Sequence, residues 1–219
     1  TRNDLRGEVR QLVWEGLGVL AYDKRGVGES QGTYPQTRGA DPETVLRTLA
    51  QDAAAAFDRL RQEPAVDPSR VGFFGPSQAG WIIPLAAERL NPAPRFHILL
   101  SAPAVSTGVE QFYSDLTGDG NRAPQLTDPV EIQNQVAAYS GPAGFDPAPL
   151  LRASRVPTLW LLGGRDESVP TFATVHVLDS IRAEGNPSHT VVVYAEASHA
   201  LESVPLWTDI LAWLEKGGH

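Results

Sequence analysis

An α/β architecture, a mostly parallel sheet flanked by helices, is the fold class this sequence predicts, and three observations predict it. Helical and strand patterns alternate along most of the chain. The strand candidates are near-continuous apolar runs rather than apolar–polar alternations, as expected of strands buried on both faces. Gly, Pro and Asp punctuate the junctions, where turns and caps require them.

Taken in order, Leu5, Val9, Leu12 and Val13 fall on one helical face, which Gly16 and Gly18 close. Val19-Leu20-Ala21-Tyr22 then reads as a strand running into the Gly-rich loop Asp23-Lys24-Arg25-Gly26-Val27-Gly28-Glu29-Ser30. Asp41 as N-cap, Pro42 at the first helical position and Glu43 in the first turn start a second helix. Its apolar face is Val45, Leu46, Leu49, Ala53, Ala56, Phe57 and Leu60.

Val71-Gly72-Phe73-Phe74 predicts a short buried strand, and the apolar stretch from Trp81 to Leu90, too long for a strand, predicts a helix kinked at Pro84. Further strands are expected at Phe96–Leu100, Thr158–Leu162 and Thr190–Tyr194. A last helix carries Leu206, Trp207, Ile210, Leu211 and Leu214. Between Ala102 and Pro157 the alternation stops for about 55 residues, far beyond the usual connection. Residues 102–156 therefore read as an insertion, with short helices near Val109–Leu116 and Pro129–Tyr139, into one domain spanning 1–219. Lying over the carboxyl edge of a parallel sheet, where ligands bind, such an insertion is expected to act as a lid.

Composition narrows the function. With 42% hydrophobic and 20% charged residues, the 219-residue chain has the make-up of a soluble globular protein. Its formal net charge of −8 argues against nucleic acid or an anionic membrane as the main partner, since both demand basic patches. The absence of Cys removes disulfides, Cys-ligated zinc and thiol catalysis. No metal cluster or cofactor fingerprint is visible, so no cofactor is implied. The chain lacks Met and opens on Thr1-Arg2-Asn3-Asp4, so the true N-terminus is expected upstream. Localisation and oligomeric state are left open, with a soluble, cytoplasmic chain as the default.

The chemistry centres on Gly72-Phe73-Phe74-Gly75-Pro76-Ser77-Gln78-Ala79-Gly80. Ser77 stands where a strand ends and a helix begins. A serine hydroxyl is a poor nucleophile without a base, an acid orienting that base, and donors for the oxyanion. A sharp strand-to-helix turn exposes the hydroxyl and brings the Gln78 N–H to a helix N-terminus, where negative charge is favoured. Gly75 and Ala79 hold the flanking positions of a G-x-S-x-G elbow, with Ala79 replacing the second Gly and Gly80 following it. The alternative for this stretch alone is a Ser that merely caps the helix.

Such an elbow predicts an acid and then a His in loops after later strands. Asp166 follows the strand in Leu162-Gly163-Gly164-Arg165-Asp166, and His199 follows the next in Tyr194-Ala195-Glu196-Ala197-Ser198-His199. Glu167 is the rival acid. His97 in a strand, His176 in a helix, His189 before a strand and the terminal His219 compete poorly with His199.

In these segments, together with Tyr22–Ser30 and Gly75–Trp81, the chain resembles the alpha/beta-hydrolase superfamily, in its small serine esterase, thioesterase and dipeptidyl-peptidase-like branch. The resemblance implies a nucleophile at Ser77, a triad acid at Asp166, a base at His199 and an oxyanion donor at Gln78. It also implies that a second oxyanion donor would precede Thr1. A phosphate-binding role for the Gly26, Gly28 and Gly32 loop is disfavoured, because neither the P-loop ending nor the G-x-G-x-x-G spacing is present.

The expected function is hydrolysis of a carboxylic ester of a small molecule, with thioester, lactone and peptide open because all pass through similar tetrahedral intermediates. The contrasting expectation is a non-catalytic protein of the same fold that binds a ligand or partner under the insertion.

Overall fold

A computed structural model of the protein describes residues 5–35 and 41–217. Expectations placed on Thr1–Asp4 and on His219 lie outside these residues. Strands β1 (Phe73–Pro76), β2 (His97–Leu100), β3 (Thr158–Gly163) and β4 (His189–Tyr194) form one parallel sheet in the order β1-β2-β3-β4. The helices are α1 (Arg6–Trp14), α2 (Pro42–Arg61), α3 (Ala79–Ala87), α4 (Thr107–Thr117), α5 (Pro129–Ala137), α6 (Ala148–Ala153), α7 (Thr171–Ala183) and α8 (Leu206–Glu215).

Side chains one residue apart on a strand point to opposite faces, so an apolar run can serve two cores at once. Leu99, Trp160 and Leu162 turn one way and pack with Ile83 of α3, Leu151 of α6 and Leu178 and Ile181 of α7. Ile98, Leu100, Leu159 and Leu161 turn the other way, toward Leu201 and toward Ile210 and Trp213 of α8. Behind α3, the expected apolar face of α2 supplies Val45, Leu46, Leu49 and Ala53 against Trp81, Ile82 and Leu85. The start of α2 is set as its sequence predicts: the Asp41 carboxylate accepts hydrogen bonds from the Glu43 and Thr44 amides.

Four expectations are corrected. Val19–Tyr22 is not a strand in the sheet, because no ladder joins it to β1. A mostly apolar cavity of about 700 Å³ lies there instead, its lining including Val19, Leu20, Tyr22, Phe57, Phe73 and Phe74. Paired strands stand about 4.8 Å apart, a spacing that leaves no room for such a void. The apolar face of α1 buries only Leu12, while Val13 is 56% exposed. The helix after Ser77 begins at Ala79 rather than Trp81 and ends at Ala87, with Pro84 inside it. The strand ends also shift; β1 starts at Phe73 rather than Val71.

The insertion contains α4 and α5, which share a small core of Tyr113, Leu116, Ile132 and Val136 with Phe172 of α7 against it. Phe112 and Tyr139 stack at 4.9 Å between ring centroids. Much of the apolar content of the insertion is thus spent on its own packing. Among the described residues, no helix is long and apolar enough to cross a membrane.

Candidate active site

The parallel register carries the carboxyl ends of β1, β3 and β4 to one edge of the sheet, and the residues that follow them are Ser77, the Asp166 loop and the His199 loop. Ser77 comes directly after β1, in a left-handed conformation at φ 52°. A non-glycine residue rarely occupies this region, and holding one there costs on the order of 1–3 kcal/mol. The turn is held by the Ser77 N–H donating to Leu100 O of β2 at 2.8 Å and by Gly80 N–H donating to Ser77 O at 3.0 Å.

Small residues are needed around this turn for steric reasons. A Cβ on Gly80 would stand 2.3 Å from the Pro103 carbonyl oxygen, and one on Gly75 would stand 2.7 Å from the Ala79 methyl. Ala79 is accommodated because Gly75 opposite it has no side chain. The close approach that a second elbow glycine would permit is provided one residue later, at Gly80.

The Asp166 and His199 loops are joined to each other by backbone hydrogen bonds, from Gly164 N–H to Tyr194 O at 2.8 Å and from Arg165 N–H to Ala197 O at 2.9 Å. That proximity explains the paired glycines before Arg165. A Cβ would meet Ser198 O at 2.3 Å from position 163 and Ala195 O at 2.4 Å from position 164.

Asp166 is buried, and its carboxylate is oriented on both sides. Oδ1 accepts from the Ser168 and Val169 amides at 2.8 Å each, and Oδ2 lies 2.8 Å from His199 Nδ1. The rival Glu167 makes no such contact with the ring; its main-chain carbonyl accepts instead from Thr117 Oγ1 at 2.5 Å. The hydrogen bond to Asp166 raises the His199 pKa above 6.5; burial works against this, and the charges of Asp166, Asp119 and Glu110 add to it. With Nδ1 engaged, Nε2 is the ring nitrogen that faces elsewhere. Asp166 and His199 are thus brought together, while Ser77 stands at the same sheet edge with no hydrogen bond from its Oγ to the His199 ring.

Gln78 is the N-cap of α3. An amide at this position has no partner within the helix. Its side-chain Oε1 accepts from Lys24 Nζ at 2.6 Å, tying the loop after Tyr22 to the elbow. In that loop Glu29 N–H donates to Asp23 Oδ2 at 3.1 Å and Ser30 Oγ donates to Asp23 O at 2.6 Å. Arg25 of the same loop reaches Asp52 of α2 at 2.7 and 2.5 Å.

Residues the sequence did not single out also surround the site. Glu110, in the first turn of α4, faces Asp119, His199, Asp166 and Asp115, and burial followed by the Asp119 charge pushes its pKa up to about 7. Tyr113 Oη donates to the Asp166 main-chain carbonyl. Nothing local marks these residues, because their role depends on where α4 lies relative to the β3 loop.

The sequence model of the prolyl oligopeptidase family matches residues 7–217. A polyketide transferase, claH of Penicillium crustosum, is 31% identical over 142 residues, covering 61% of this chain and 44% of that one. A thiohydrolase, aneE of Aspergillus aculeatus, is 38% identical over 65 residues, covering 30% of this chain and 19% of that one. The chain therefore spans less than half the length of either relative. Among solved structures, an esterase of Pyrococcus furiosus, Pf2001, superposes with a TM-score of 0.63 at 19% identity, covering 98% of this chain and 74% of that one.

Proposed function

The chain belongs to the prolyl oligopeptidase family, with an alpha/beta-hydrolase fold, and on that premise we propose that it is a serine hydrolase acting by acyl transfer on a small-molecule ester. The observation that carries this reading is the 2.8 Å contact between His199 Nδ1 and Asp166 Oδ2 at the sheet edge that also bears Ser77 in a left-handed turn.

In the proposed reaction His199 Nε2 takes the Ser77 proton as Oγ attacks the carbonyl carbon, and the electron pair of the C=O moves to oxygen. The Gln78 N–H at the start of α3 stabilises that oxyanion, aided by the helix N-terminus. Collapse of the intermediate expels the alcohol, which takes the proton from His199. Water then repeats the sequence on the acyl-enzyme, with His199 again as base, and returns Ser77. Asp166 keeps the imidazole in the tautomer whose Nε2 can accept a proton. The reading requires the Ser77 hydroxyl to reach that nitrogen in the substrate complex; such contacts are commonly long before substrate binds. The insertion bearing α4 and α5 is the proposed lid.

A second reading of the substrate, a thioester, is favoured by the likeness to a thiohydrolase over 65 residues. It needs the same machinery with a thiol as leaving group.

Treating the protein with a fluorophosphonate probe tests the proposal. Labelling is expected in the unaltered chain and lost in Ser77→Ala, together with at least about a thousandfold loss of p-nitrophenyl ester hydrolysis. Labelling that persists in Ser77→Ala would falsify it. Parallel rates on oxygen esters and acyl thioesters of matched chain length separate the two substrate readings.

A further inference from the structure

The loop that carries Asp166 is held from two directions. On the sheet side, Arg165 N–H donates to Ala197 O at 2.9 Å and Thr171 Oγ1 donates to Gly163 O at 2.6 Å. On the other side the ties come from α4, a helix of the insertion. Tyr113 Oη donates to Asp166 O, and Thr117 Oγ1 donates to Glu167 O at 2.5 Å. Tyr113 and Thr117 are one helical turn apart, so they present their hydroxyls on one face and grip successive carbonyls of the loop.

The two ties are unequal. Thr117 Oγ1 also lies 2.9 Å from Tyr113 O within its own helix, whereas Asp166 O is the one partner the structure gives the Tyr113 hydroxyl. Tyr113 is 8% exposed, its ring meets Phe172 edge-on at 6.0 Å between centroids, and burial with the nearby Asp166 and Glu167 charges pushes its pKa up to about 12. The hydroxyl therefore keeps its proton across the working range of pH and remains a donor.

We propose that Tyr113 is a positioning residue: by holding the Asp166 main-chain carbonyl it fixes the carboxylate against His199, and so couples the placement of helix α4 to the competence of the catalytic base. The coupling rests on the triad reading above. It makes the insertion a working part of the acid–base pair as well as a cover. When α4 moves away, the Asp166 loop loses its only ties outside the sheet layer among the described residues, and the orientation of the carboxylate relaxes.

The test uses the full chain with Tyr113→Phe, Thr117→Val and the conservative Thr117→Ser. Two readouts are taken on protein whose cooperative melting shows that it is folded: the low-field proton resonance and titration of His199 by NMR, and kcat with KM on a p-nitrophenyl ester. The resonance reports the Asp166–His199 hydrogen bond whether or not the protein turns over substrate, so failure of this proposal is distinguishable from failure of the serine-hydrolase reading. Expected for Tyr113→Phe are a weakened resonance, a His199 titration moved to lower pH, and kcat reduced about tenfold with KM within about twofold. The charged groups facing His199, namely Asp166, Asp119 and Glu110, are intact in each variant. Thr117→Val should show the same pattern more weakly and Thr117→Ser should restore it. A folded Tyr113→Phe with unchanged His199 titration and kcat, even with a lowered melting temperature, overturns the proposal. Should Tyr113→Phe fail to fold, an unchanged His199 signal in Thr117→Val overturns it equally.

Discussion

At the scale of single residues, the electrostatics of the site lead to a pH profile with a defined sign. The proposed base is active when neutral, and its pKa is raised above 6.5 by the hydrogen bond to Asp166 and by the charges of Asp166, Asp119 and Glu110. Activity should therefore rise with pH through a midpoint above 6.5 rather than below it. Glu110 ionises at about 7, so over the same range it gains the charge that holds a proton on His199. Replacing Glu110→Gln removes that charge, and the rising limb of kcat/KM should move to lower pH by a few tenths of a unit. A limb that stays in place or moves upward would show that Glu110 does not act on the base. The placement of Ser77, Asp166 and His199 after strand ends was legible beforehand, because each follows an apolar strand pattern, and the structure joins Asp166 to His199. Glu110 and Tyr113 were not, since a helix face records which residues share a side but not what that side will meet.

At the scale of elements, the elbow is a steric arrangement between β1 and α3, and its glycines can be tested as such. Gly80→Ala would place a methyl carbon 2.3 Å from the Pro103 carbonyl oxygen, a backbone atom that cannot swing aside. The variant should lose about 1–3 kcal/mol of stability in urea unfolding, with activity falling as Ser77 is displaced. A Gly80→Ala protein as stable as its parent would mean that the turn is looser than its contacts indicate. Helix α2 was readable to its first residue because Asp41, Pro42 and Glu43 are local signals with local causes. Val19–Tyr22 was misread for the opposite reason. A short apolar run ending in Tyr states a preference for extended backbone, but a strand also needs a neighbour to pair with, and here a cavity takes that place.

For the whole molecule, the doubly covered sheet carries a consequence for acid stability. His97 and His189 are buried among its strands, and desolvation, with the charge of His189 added in the case of His97, depresses the pKa of His97 to about 3; burial likewise lowers that of His189. Both are neutral in folded and unfolded chains above pH 6.5. Below that, the unfolded chain takes up protons that the folded chain refuses, so stability present at neutral pH is lost as pH falls, for His97 from about 6.5 toward 3 by roughly 1 kcal/mol per unit, with His189 adding to the loss in the same direction. His97 Nε2 has no hydrogen-bond partner and Thr158 Oγ1 keeps a second bond to Val156 O, so His97→Leu removes the titration without stranding a neighbour. Its urea midpoint, relative to the parent, should be higher at pH 5 than at pH 8; an equal difference at both would exclude this account. The linear chain determined the class of fold, the Asp41 cap of α2 and the chain order in which Ser77, Asp166 and His199 follow their strands, because these follow from apolar runs and from turn chemistry acting over a few residues. Which strand candidate entered the sheet, which carboxyl met His199, and which helix closed over the acid loop were decided by tertiary structure alone, because each depends on contacts between segments far apart in sequence, where packing and hydrogen-bond satisfaction outweigh any local preference.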